Sequence, residues 1–145
     1  MAITTRLYDA GLARLLSGVD WAAATVRCGL LSTGYVFDAA HEAWADVSAR
    51  EIAGTGYAAG GLALSGKAVL AASGGAALVA DAVVWPALTA DALAHAVLYV
   101  SGTVGAIVDP LLACTTFSAF GLDVAAEAFP INWQGGVCTI APYGG

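Results

Sequence analysis

Residues 62–85 read LALSGKAVLAASGGAALVADAVVW, and the fold turns on this run. Its alanine content suggests helix. Its glycines and β-branched residues break any helical period, and turn chemistry divides it into extended pieces. Leu62–Leu70 is expected as one strand, with Gly66 a bulge or bend. Ser73-Gly74-Gly75 is a turn, and Ala76–Trp85 is the next strand, ended by Pro86. Downstream, Ala94–Val100 is apolar on both sides except for His95 and belongs at the centre of a sheet. Leu111–Phe117 follows a turn at Asp109-Pro110. Phe129–Trp133 and Val137–Ile140 are expected to form a hairpin through Gln134-Gly135-Gly136.

Upstream, Val26, Cys28 and Leu30 alternate with Thr25, Arg27 and Gly29, the pattern of a half-buried strand. Residues 32–47 form a long connection holding Tyr35, Phe37, His41 and Trp44. It includes a short helix over Ala39–Ala45 capped by Asp38. Arg50–Ile52 and Tyr57–Ala59 read as extended. At the start, Thr4 and Thr5 offer an N-cap, and Leu7, Tyr8, Leu12, Leu15 and Leu16 recur at helical spacing. An amphipathic helix is expected over about residues 5–17, closed by Gly18 at C′. The sum is one mainly β domain over 1–145. It is a β-sandwich or barrel-like antiparallel fold of seven to eight short strands, from about 25 to 141, with one N-terminal amphipathic helix.

Of the 145 residues, 59% are hydrophobic and only 11% charged, which excludes intrinsic disorder. The formal net charge is −6 and no basic cluster exists, so no nucleic-acid partner is expected. Mean hydropathy is +0.78, yet the longest central stretch without Asp, Glu, Lys or Arg, Ala92–Val108, is too short and too polar for a spanning helix. No membrane partner is expected. Arg6, Asp9 and Arg14 interrupt any apolar signal core, so no signal peptide is expected. Cys28, Cys114 and Cys138 are far apart, and an odd count without a C-x-x-C pair suits free, buried thiols.

Several motif fragments fail on inspection. Gly61 to Gly66-Lys67-Ala68 has the spacing of a phosphate loop, but Ala68 stands where Ser or Thr must hold magnesium. Gly54-Thr-Gly56 with Gly60 misplaces the third glycine of a dinucleotide fingerprint. His41-Glu42 begins a zinc-protease signature, but Ala45 replaces its second histidine. No serine occupies a nucleophile elbow. The acids are dispersed at turn-like positions, where Asp caps helices and starts turns. No catalytic, metal or cofactor residue is therefore named, and the chain is read as a non-enzyme. His95, flanked by Ala94 and Ala96, is read as a hydrogen-bonded structural residue or a surface one.

Four tryptophans are many for this length. Trp85 and Trp133 are assigned to the core. Tyr35, Phe37, Trp44 and Tyr57 lie in or beside loops and are the candidate interface residues, since aromatics are enriched at interfaces. Low charge supports an interface, because a small domain exposes much of its surface. Quaternary contact removes that apolar area from water, and a homo-oligomer is expected.

The order of features also resembles a family of small structural proteins of tailed bacteriophages and prophages. It is carried by Tyr8, Leu15-Leu16, Gly18, Asp20-Trp21, Val26–Leu31, Tyr35, His41, Asp46-Val47 and Glu51-Ile52. The most specific stretch is Gly54-Thr-Gly56-Tyr57-Ala-Ala-Gly60-Gly61. Asp81 to Trp85, Val97–Tyr99, Pro110-Leu111-Leu112 and Phe129 to Trp133 with Gly136 complete it. The resemblance implies a virion component, made in the host cytoplasm. Its partners would be other virion proteins: the major capsid protein for a head decoration or minor capsid (cement) protein, tail or neck proteins for the nearest rival. A carbohydrate- or host-surface-binding β-sandwich module is a further alternative.

Overall fold

A computed structural model describes residues 2–72, 74–133 and 136–140. Its fold is mainly β, with antiparallel sheets and one α-helix near the N-terminus. The strands are β1 (Ile3–Leu7), β2 (Val26–Ser32), β3 (Leu62–Ala63), β4 (Ala68–Ala72), β5 (Gly75–Val79) and β6 (Val83–Val100). They continue with β7 (Thr103–Val104), β8 (Ile107–Val108), β9 (Leu111–Phe117), β10 (Leu122–Ile131) and β11 (Cys138–Ile140). The larger sheet runs β1-β9-β6-β2-β3, with β10 also on β6; the smaller runs β11-β5-β4, and β7-β8 is a short hairpin.

The chain starts as strand, not helix. Thr4 and Thr5 lie inside β1, paired with Thr116 and Thr115 of β9, and the Thr5 and Thr115 hydroxyls meet at 2.9 Å. Two β-branched residues beside a ready partner strand favour extension over capping. The helix α1 is Asp9–Ser17, entered from Tyr8 without a side-chain cap. Gly11 lets it press onto β9, since a Cβ there would stand 2.5 Å from the Leu112 carbonyl oxygen. Leu15 packs on the core, but Leu16 is 68% exposed, outside the stripe its spacing suggested.

β6 departs furthest from expectation. It passes through Pro86, where a strand end was expected, and continues to Val100. Pro86 is tolerated because the 83–93 half of β6 has a full ladder only with β10, and Pro86 sits at a register shift between Trp85 and Leu88. The 93–100 half lies between β2 and β9, the central place its apolar sequence demanded. The run expected as one strand over 76–85 is divided between β5 and β6. The run over 62–70 is likewise split at Gly66, whose φ is +62° and whose Cβ would meet the Asp81 carboxylate.

Among the described residues, the two strands of the expected C-terminal hairpin do not pair with each other. β10 pairs with β6 and β11 with β5; Gln134 and Gly135 lie outside the described residues. The strand character of 122–128 is not visible in the sequence because bulges hide its alternation, with Ala126 at φ +50°. In the 32–61 connection, Asp38 caps a turn instead of a helix, accepting from the Ala40 N–H at 2.9 Å. Single 3-10 turns follow at Trp44–Asp46 and Ser48–Arg50. Arg50 is therefore not extended, and 57–59 is loop.

Alternation along the central strands feeds two cores. Val26, Cys28, Leu30, Ala96 and Leu98 join Trp85, Phe117, Phe129 and Trp133 on one face, beneath Leu78 of the smaller sheet. Leu31, Val97, Tyr99, Leu111 and Cys114 join Tyr8, Tyr35 and Val47 on the other, under the 33–61 connection.

Candidate functional site

The four candidate aromatics belong to these cores. Tyr35 is 4% exposed; Phe37 and Trp44 are half-buried against the second core, and Tyr57 against the first. Trp44 lies on Gly29 of β2, where a Cβ would stand 2.5 Å from the ring. It stacks on Tyr99 with centroids 4.5 Å apart. Phe37 packs on Tyr8 at 5.0 Å and carries the Arg6 guanidinium at 4.0 Å. Of the four rings Tyr35 alone is buried, and Phe37, Trp44 and Tyr57 each keep part of their surface exposed.

The glycine-rich stretch 54–61 folds as a clamp. Gly60 and Gly61 adopt φ +88° and +78°, which turn their carbonyls toward the sheet. Tyr99 Oη donates to the Gly60 oxygen at 2.6 Å and Arg27 Nη2 to the Gly61 oxygen at 2.6 Å. Glu51 Oε2 accepts from Tyr57 Oη at 2.5 Å and from the Gly60 N–H at 2.7 Å. Tyr57 Oη in turn accepts from the Leu30 N–H at 3.0 Å. Burial, chiefly, and the Glu51 acceptor hold the Tyr57 phenol well above its ordinary range, so it stays a donor.

Beneath this layer runs a polar chain that sequence spacing did not reveal. Tyr8 Oη meets Tyr35 Oη at 2.7 Å, and Tyr35 Oη meets His41 Nδ1 at 3.0 Å. His95 Nε2 lies 3.2 Å from the Tyr35 carbonyl oxygen, and Nδ1 3.0 Å from Thr116 Oγ1. A carbonyl only accepts, so Nε2 carries the proton and Nδ1 accepts from Thr116. Cys114 Sγ is 3.8 Å from the same Nδ1, but burial pushes its thiol up to about 11. A thiol beside a neutral imidazole is no activated nucleophile. Cys28 and Cys114 are buried free thiols, and Cys138 is a half-buried one. Among the described residues no three His, Cys, Asp or Glu gather as metal ligands. No helix there is long and apolar enough to cross a membrane.

The surface is of another kind. Among the described residues, Leu16, Val36, Val69, Leu70, Val84, Val108 and Phe120 are large apolar side chains left exposed. An open groove of about 860 Å³ runs between β1 and β10, walled by Ile3, Leu122, Phe129 and Trp133 with Asp123 and Glu127. Trp133 is held at its base by an Nε1–H bond to Thr115 Oγ1 of 3.3 Å. No family model, curated protein or solved structure matches this chain.

Proposed function

We propose that the protein is a structural component of a tailed-phage virion, a head decoration or minor capsid protein that docks on the shell by burying apolar surface. The observation that carries this reading is the set of exposed large apolar side chains, Val69, Leu70, Val108 and Phe120 among them. They stand on a chain with only five basic and eleven acidic residues in 145. Apolar area of that kind is removed from water by a neighbour, and each such contact stabilises a lattice by mass action. Buried Tyr8, Tyr35 and His95 supply rigidity, and the clamp at 54–61 fixes the loop layer to the sheet.

The test is mass spectrometry with copy counting on intact particles of the phage or prophage that encodes the chain, separated into heads and tails. Hundreds of copies with heads are expected. A few copies, or copies with tails, overturn decoration in favour of a tail or neck role. Absence from particles overturns the virion reading.

A further inference from the structure

We propose that β4 is a self-pairing edge. Its free side pairs antiparallel with β4 of a second copy about a two-fold axis through Leu70, joining two three-stranded sheets into one of six.

In the order β11-β5-β4, one side of β4 is paired with β5, from Ala68↔Val79 to Ala72↔Gly75. Among the described residues no strand takes its other side. An open edge presents a row of N–H and C=O groups that only an extended partner satisfies fully. Natural edges are guarded by charge, proline, bulges or brevity. Among the described residues, the outer strands of the larger sheet follow that rule, and β11, the smaller sheet's other outer strand, is three residues long. β1 carries Arg6, β3 is two residues long, and β10 carries Asp123, Glu127, Pro130 and repeated register shifts. β4 reads AVLAA, five residues with neither charge nor proline, and Val69 and Leu70 are each 52% exposed.

The strand's own sequence identifies the occupant. Turned about Leu70, the register sets Val69 opposite Ala71, a large side chain against a small one, and Ala68 opposite Ala72. Leu70 meets itself on the axis, where directly opposite residues share a face. Lys67, the nearest cation, falls at the far ends, beside the partner's β4–β5 turn, so no like charges oppose. The contact is isologous and closes at two copies, so it yields a dimer and not a fibre. Five residues a side is far below a standard interface, so the dimer is weak and concentration-dependent. The inference is independent of the virion reading: a monomeric chain overturns edge pairing and leaves particle association standing.

Sedimentation of the full chain from low micromolar to near-millimolar concentration tests it, with circular dichroism confirming the fold of each variant. Wild type should show a monomer–dimer equilibrium. Leu70→Lys and Leu70→Glu should each raise the dimer dissociation constant by about tenfold or more, through lost apolar burial and like charges on the axis. Mixed one to one, they should restore a dimer. Val84→Lys, at an exposed apolar residue of another strand, should leave it unchanged. A wild-type monomer throughout, an undiminished Leu70→Lys dimer, or a mixture that stays monomeric overturns the proposal.

Discussion

His95 sits in the middle of β6 with both ring nitrogens engaged, Nε2 at the Tyr35 carbonyl and Nδ1 at Thr116 Oγ1. Burial lowers its pKa below the ordinary 6.5; the Tyr35 carbonyl opposes this and Arg6 adds to it. The neutral ring is therefore the folded form. Above about pH 7 neither folded nor unfolded chain protonates it, and its interactions contribute in full. As pH falls through 6.5 the unfolded chain takes up a proton first, so stability declines until the folded pKa is reached. Urea unfolding between about pH 7.5 and 5 should show that decline. His95→Gln should flatten it while lowering stability at neutral pH. An unchanged slope in the variant would assign the decline to other groups. The flanking alanines leave His95 open as a hydrogen-bonded structural residue or a surface one, and the structure buries it. Its partner Tyr35 lies sixty residues away in sequence, and no local pattern announces such a pair.

At the scale of elements, the clamp is the clearest device. Tyr57 Oη bridges the backbone of β2 to the 51–60 loop, accepting from Leu30 and donating to Glu51. Tyr57→Phe removes the hydroxyl, takes one of two donors from Glu51 Oε2 and leaves a strand N–H without its acceptor. The expected cost is about 1–3 kcal/mol, read as a lower urea midpoint at unchanged slope. A midpoint equal to wild type would show that Arg27, Tyr99 and the Glu51–Gly60 bond hold the loop without the hydroxyl. The glycines of this stretch resisted assignment from sequence because they imitate phosphate-binding loops. What they provide is positive φ and close approach: at Gly61 a Cβ would strike the Cys28 carbonyl oxygen. Pro86 misled for a related reason. Proline forbids a ladder bond, but only on a side where a ladder exists.

For the whole molecule, one long ribbon organises everything. β6 runs 18 residues with β9 and β10 along one side; its 93–100 half is covered on both faces, and its 83–92 half leaves alternate residues exposed. Trp85 lies at the heart of the first core, its Nε1–H without a partner among the described residues, so that core is held by packing more than by polar satisfaction. The exterior is poor in charge, so the self-association proposed above rests on apolar burial and backbone pairing and not on ion pairs. Sulfate should therefore strengthen self-association, while sodium chloride at about 0.5 M should not dissolve it, because screening acts on charge pairs. Sedimentation across the two salts checks this; dissociation by chloride would point to ion pairs instead.

The β class, β2 and β9 almost to the residue, the central place of 94–100, the core roles of Trp85 and Trp133, and the sparse charge are legible in the amino-acid order alone. All of these follow from local alternation and composition, which each segment carries within itself. The tertiary structure alone decided that the chain begins as a strand, that β11 joins β5 and not β10, and that the loop aromatics pack inward. It also decided that β4 has a single strand partner, β5, among the described residues. Alternation tells a segment that it is half-buried, but not against what; partner and register depend on contacts between residues tens of positions apart, which exist only once the chain has closed.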